Sequence, residues 1–138
     1  MDQNYIAPDA CVLEMDSEVY IHNIKELRVS TGDKVKICAV MKADAYGHGI
    51  EVMMDTFVKS IVEYISAIDN YEFRILQKWF KEHNVQHVRL LRIAPDTKEE
   101  LIEFIINNWD VEEVFGSLEK GQYFSKISSE ISRNLEEN

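Results

Sequence analysis

A chain of 138 residues with 46% hydrophobic and 29% charged side chains, and with glycine and proline sparse, has the composition of a globular protein rather than a disordered or fibrous one. That length suits one domain able to bury roughly two thirds of its unfolded surface. A formal charge of −10 argues against nucleic acid or anionic lipid as the main partner, because an acidic protein gains no counterion-release energy from either.

The opening MDQNYIAPDA lacks the basic and apolar regions of a secretory signal, and no run approaches the roughly 18 apolar residues of a spanning helix. A cytoplasmic location without membrane contact is the resulting expectation. VLEM at 12–15 reads as a short extra strand. Asp16 or Ser17 then caps an amphipathic helix carrying Tyr20, Ile24 and Leu27, and STGDK at 30–34 turns the chain into the next strand. Cys11 and Cys38 sit beside valine or isoleucine in no metal-like spacing and read as buried free thiols.

Four apolar runs rich in β-branched residues follow: VKICAVM (35–41), VEYISAI (62–68), VRLLRIA (88–94) and VEEVFG (111–116). Their first valines stand at 35, 62, 88 and 111, which are intervals of 27, 26 and 23 residues. Each interval has room for one helix and two loops. Helical stripes fill them: Val52, Met53, Phe57 and Ile61; Phe73, Leu76, Trp79 and Phe80; Leu101, Phe104 and Ile105; then Leu118, Tyr123, Ile127 and Ile131. Thr97 and Glu100 form a capping box, and Ser117 can cap the last helix.

This phasing predicts an α/β fold of about four βα units with a parallel sheet, either doubly wound or part of an eight-unit (β/α)8 barrel. No Gly-x-Gly-x-x-Gly follows the first strand, so a dinucleotide fold has little support. No linker or composition break divides residues 1–138, and only the tail RNLEEN from Arg133 reads as frayed and solvated.

In both parallel architectures functional groups gather at the carboxyl ends of strands, and Lys42 stands at such an end, after the apolar run 35–41. Burial of a lysine stem favours the neutral amine, the form that attacks an aldehyde. Position alone therefore admits a Schiff-base lysine, while a structural lysine that snorkels or pairs with Asp44 is the simpler reading. His48, between Gly47 and Gly49, could touch a cofactor or cap the following helix; the local structural role is favoured because the glycines already explain the tight turn, and Asp44 is similarly ambiguous. His83 and His87 are four apart but straddle a predicted helix end, so no metal site is expected. Arg89 and Arg92 fall on opposite faces of the third run, so one at most points toward a site. Arg92, nearer the strand's end, could line it, although a structural role is favoured. The pairs Glu99-Glu100, Glu112-Glu113 and Glu136-Glu137 read as solvated helix or loop ends.

The segment VMKADAYGHG at 40–49 resembles the pyridoxal-phosphate lysine motif of the alanine racemases. VLEMD at 12–16 with His22-Asn23, SAIDNYEF at 66–73 and GSLEKGQYFSKI at 116–127 are similar to further parts of that family, though less specifically. The resemblance implies the amino-terminal half of a (β/α)8 barrel with Lys42 at the end of its first strand. It also implies that Lys42 bonds pyridoxal 5'-phosphate and serves as one of two bases in interconverting L- and D-alanine, and that Tyr46 hydrogen-bonds the cofactor phosphate. In the family the second base is a tyrosine of a carboxy-terminal β-domain in the partner subunit of a homodimer. That domain and the second half of the barrel are not found in residues 1–138, so the isolated chain is expected to be inactive and to self-associate or aggregate through open strand edges and an apolar face. An alternative is a non-catalytic pyridoxal-phosphate-binding module similar to the single-domain homeostasis proteins that share the barrel, although their lysine segment lacks YGHG.

Overall fold

The computed structural model describes residues 13–93 and 97–136. Helix α1 (Ser17–Thr31) leads into β1 (Cys38–Val40), a single helical turn α2 (Lys42–Tyr46) and α3 (Ile50–Lys59). Strand β2 (Tyr64–Ala67), α4 (Asn70–Glu82), β3 (Arg89–Arg92), α5 (Lys98–Ile106), β4 (Val111–Glu113) and α6 (Leu118–Glu136) complete the alternation.

The four strands form one parallel sheet in the order β1-β2-β3-β4. A doubly wound sheet reverses its strand order at a switch point, whereas a barrel adds each strand beside the last. The sequential order seen is therefore the barrel order, and each of the four apolar runs contributes a strand. The regular ladders are shorter than the apolar runs because strand hydrogen bonding gives way to single bonds at the ends. Met41 N–H donates to the Ser66 carbonyl at 2.7 Å, and Ile93 N–H to that of Ala67 at 3.2 Å.

Alternation along the strands sorts the sheet into two faces. Ile37, Ala39, Met41, Ile65, Ala67, Val88 and Leu90 pack with Ile50, Met53 and Met54 of α3 and Phe73 and Leu76 of α4 in one buried core. Full burial of each large side chain there stabilises by roughly 1.5–3 kcal/mol before entropy is counted. The alternate set carries Cys38 and Val40, Tyr64 and Ser66, Arg89 and Leu91, and Glu112, aligned by the register Val40↔Ser66↔Leu91↔Glu112.

Several expectations are corrected. Residues 13–15 of the expected strand at 12–15 are irregular, and Val12 lies outside the described residues, as does Cys11. Cys38 is half-buried rather than buried. On α1 Ile24 is buried and Tyr20 packs edge-on against Phe57 with centroids 6.2 Å apart, but Leu27 is exposed. In α3 the buried face is Ile50, Met53 and Met54, which leaves Val52 and Ile61 outside. In α6 Leu118 and Tyr123 are exposed while Ile127 is buried. The helical misses share a cause: a stripe of apolar residues is wider than the contact a helix makes, and the element it packs on, α3 for α1 and α5 for α6, selects its centre.

The caps follow the sequence closely. Asp16 Oδ1 accepts from the N–H groups of Glu18 and Val19 at 2.9 and 3.2 Å. Thr97 and Glu100 close the expected capping box, and Ser117 Oγ accepts from Lys120 N–H at 3.3 Å.

Candidate functional site

The candidate site is the link between β1 and α3, at the carboxyl edge of the sheet. After Met41, which is fully buried, Ala43, Asp44, Ala45 and Tyr46 all take left-handed backbone angles with φ between 52 and 56°. Gly47 and Gly49 continue at positive φ, 82 and 90°. Left-handed geometry costs a residue bearing a Cβ roughly 1–2 kcal/mol. A run of four such residues persists only where its surroundings over-determine it, a condition met most often at functional sites.

Those surroundings are visible. Ala45 N–H bonds the Met41 carbonyl at 2.8 Å and Gly47 N–H that of Ala43 at 3.0 Å, so the turn closes on itself. Asp44 uses its carboxylate on the Ile50 N–H at 2.8 Å, at the start of α3. Its carbonyl accepts from Gly47 and Gly49 at 3.1 and 2.9 Å. Glu72 of α4 reaches the Asp44 N–H at 3.3 Å from the far side. The glycines expected to explain this junction account for only its second half.

Lys42 opens the turn. It is half-buried, and among the described residues its amine has no carboxylate and no hydrogen-bond partner. Its Nζ lies 5.9 Å from the centroid of the Tyr46 ring, a cation–π contact that one left-handed turn brings together. Tyr46 is itself 59% exposed, which leaves its side chain accessible to a ligand. The pairing of Lys42 with Asp44, the simpler sequence reading, is not formed, because the Asp44 carboxylate is engaged at Ile50. An unpaired amine at a strand's carboxyl end beside an accessible phenol fits a ligand that carries an aldehyde and an anionic group.

The other candidates resolve into structural roles. His48 Nδ1 lies 2.8 Å from the Ala45 carbonyl, so it closes the left-handed turn instead of capping α3. His83 bonds the Trp79 carbonyl and His87 that of Val58, in different places. Arg89 and Arg92 do point to opposite faces. Arg89 pairs with Glu112 and donates to the Tyr64 hydroxyl at 3.3 Å. Arg92 turns into the helix layer, fully buried, where it bonds Glu113 at 2.9 Å, Asn70 Oδ1 at 2.5 Å and the Ile68 carbonyl at 3.2 Å, 4.6 Å from the Phe73 centroid. Glu112 and Glu113 are thus engaged by arginines and are not the solvated end expected. Glu100 also departs from that reading, since its Oε1 takes the Asn70 N–H at 3.4 Å. Burial raises the pKa of the Cys38 thiol, opposed in part by the Ser66 hydroxyl beside it.

Sequence reasoning missed Glu72 and Asn70. Both are buried polar residues in the first turn of α4, in the segment NYEF, where an acidic helix start is the ordinary reading of a glutamate. Their contacts come from Asp44 of α2, Arg92 of β3 and Glu100 and Glu103 of α5, which no local pattern reveals.

Fold and site together define a parallel (β/α) barrel portion that presents an unpaired lysine at the carboxyl end of its first strand. The chain belongs to the family described as alanine racemase, N-terminal domain, whose model matches residues 15–136. It is 36% identical over 125 residues to a broad specificity amino-acid racemase of Aeromonas hydrophila, covering 89% of this chain and 29% of that protein. A lysine racemase of Proteus mirabilis is 26% identical over 122 residues, covering 88% and 28%. Among solved structures, an alanine racemase of Clostridium difficile 630 superposes with a TM-score of 0.64 at 27% identity, over 84% of this chain and 28% of that one. The chain therefore spans less than a third of the length of these relatives, and its fold is that of the amino-terminal portion of the racemase barrel. No described helix is long and apolar enough to cross a membrane.

Proposed function

We propose that residues 13–136 form the lysine-bearing portion of a pyridoxal-phosphate-dependent amino-acid racemase. The observation that carries this reading is the unpaired Lys42 amine in the segment VMKADAYGHG, held at the end of β1 by a strained left-handed turn. In this reading Lys42 binds the cofactor through its aldehyde carbon, and Tyr46 steadies the phosphate through its hydroxyl. When bound, the cofactor draws off the electrons that a departing α-proton leaves behind. Lys42, its amine freed once the substrate amine has taken its place on the cofactor, would take or return that proton at one face of the substrate carbon. Inversion needs a second base on the opposite face, and no described residue near Lys42 supplies it. Alanine is the substrate that the lysine motif suggests. The names of the relatives also include broad-specificity and lysine racemases, so a panel of amino acids belongs in the test.

The test mixes purified chain with pyridoxal phosphate, follows imine absorbance, and locates the adduct by borohydride reduction and mass spectrometry. Saturable labelling at Lys42 that is lost in Lys42→Ala but kept in Lys59→Ala is expected. Labelling spread evenly over surface lysines would overturn the reading. Stoichiometric binding by a stable monomer, without racemisation of any amino acid in the panel, would favour the non-catalytic binding module. Val40 and Val114 are exposed at 38% and 45% at the sheet. Sedimentation velocity is accordingly expected to show self-association.

A further inference from the structure

We propose that Glu72 is a positioning residue for Lys42: its buried carboxylate bolts the lysine turn to the end of β2 and so fixes where the amine stands. The proposal rests on the reading of Lys42 given above.

Two glutamates occupy the same third position in their helices and behave differently. Glu100 of α5 returns its carboxylate to the Thr97 N–H at 3.0 Å and closes a local capping box. Glu72 of α4 has an N-cap partner as well, since Asp69 Oδ1 accepts the Glu72 N–H at 2.9 Å. Its own carboxylate does not complete a box with Asp69. Oε2 reaches the Ile68 N–H at 3.1 Å, and Oε1 reaches the Asp44 N–H at 3.3 Å, across 28 residues of chain. Only 4% of Glu72 is exposed.

The Asp44 N–H needs such an acceptor. It lies in the first turn of a one-turn helix, where backbone N–H groups have no carbonyl behind them. Asp44 cannot satisfy itself, because its carboxylate is on Ile50 and its carbonyl on Gly47 and Gly49. Glu72 is the acceptor that this turn lacks. Asp44 is then gripped from both sides, by α3 through its side chain and by α4 through its backbone, two residues beyond Lys42. With the Glu72 carboxylate removed, the left-handed run loses one of its restraints and can relax toward right-handed angles, carrying the lysine away from the strand end.

Amide hydrogen exchange and amine labelling of the full 138-residue chain test this without cofactor. In the native chain the Asp44 amide is expected to exchange as slowly as that of Ala45, and rapid exchange there would overturn the proposal with no variant needed. In Glu72→Gln, where an N–H2 replaces one acceptor, exchange at Asp44 should quicken about tenfold or more. The pH profile for acylation of Lys42 should shift while that of Lys59 in the same molecule stays put. Glu72→Asp, which keeps the charge, should recover part of the native profile. If Glu72 only caps its own helix, Glu72→Gln will free the Ile68 amide and leave Asp44 and the Lys42 profile unchanged, which overturns the proposal. Failure of the cofactor reading is separate: it shows as a native chain that forms no Lys42 adduct with pyridoxal phosphate, whatever the Asp44 amide does.

Discussion

Two cations stand at carboxyl ends of strands in this sheet, and they illustrate opposite solutions. Arg92 of β3 is fully buried against Glu113, Asn70, the Ile68 carbonyl and the Phe73 ring. Lys42, just past β1, is half-buried, with the Tyr46 ring beside its amine and no hydrogen bond or ion pair to it among the described residues. Burying a charge is tolerable when it is paired and hydrogen-bonded, so Arg92 is committed to structure. Lys42 is left without an ion pair among the described residues, and the carboxylate two residues on, that of Asp44, is engaged by the backbone of Ile50. Position at a strand end therefore does not by itself mark a reactive group; what the neighbours leave unpaired does.

Substitution separates the two residues. Arg92→Met strands Glu113 and Asn70 and is expected to destabilise by roughly 3–5 kcal/mol, read as a lowered midpoint in denaturant, whereas Arg92→Met with Glu113→Leu should restore much of that loss. Lys42→Ala should stay within about 1 kcal/mol of native stability while removing the pyridoxal-phosphate adduct. Equal destabilisation by both would mean that the two cations play the same structural part.

The lysine turn can be probed through its backbone. Gly49 has φ 90°, and a Cβ there would stand 3.3 Å from Val52 Cγ2, so Gly49→Ala should cost roughly 1–3 kcal/mol in thermal unfolding. Ala43, exposed at φ 52°, presents the reverse case. Ala43→Gly removes a left-handed penalty and should be neutral or stabilising by up to about 1 kcal/mol, although the same change in a right-handed helix costs about that much. Clear destabilisation by Ala43→Gly would mean that the turn is right-handed in solution.

The smallest effect expected concerns acid. Hydrogen bonds from Arg74, then from Asn70, hold the Glu103 carboxyl down at about 2 from an ordinary 4.5. A lowered folded pKa gives stability that is present above pH 4.5 and lost as pH falls toward 2. Glu103→Gln should therefore flatten the pH dependence of stability across that window, and an unchanged acid profile would show the pair to be screened by solvent.

How much of this was legible beforehand differs between fold and site. The spacing of Val35, Val62, Val88 and Val111 announced four parallel strands, and Thr97, Glu100 and Ser117 announced their helix starts, because periodicity and capping are local properties of the chain. Lys42 and Tyr46 were legible as a motif. That Lys42 is unpaired was not, nor that Arg92 turns into the helix layer, nor that Glu72 touches Asp44.

By itself, the sequence determined the order of strands and helices, the polarity that puts Lys42 at a carboxyl end, and the family. Tertiary structure alone decided which charged groups are spent and which are left available. Pairing between Glu72 and Asp44 or between Arg92 and Glu113 joins residues 28 and 21 positions apart, and such pairs exist only once parallel strands have brought their ends to one edge. The left-handed turn belongs to the same class. Its local preference runs against it, and the hold of α3 and α4 on Asp44 makes it the conformation the chain adopts.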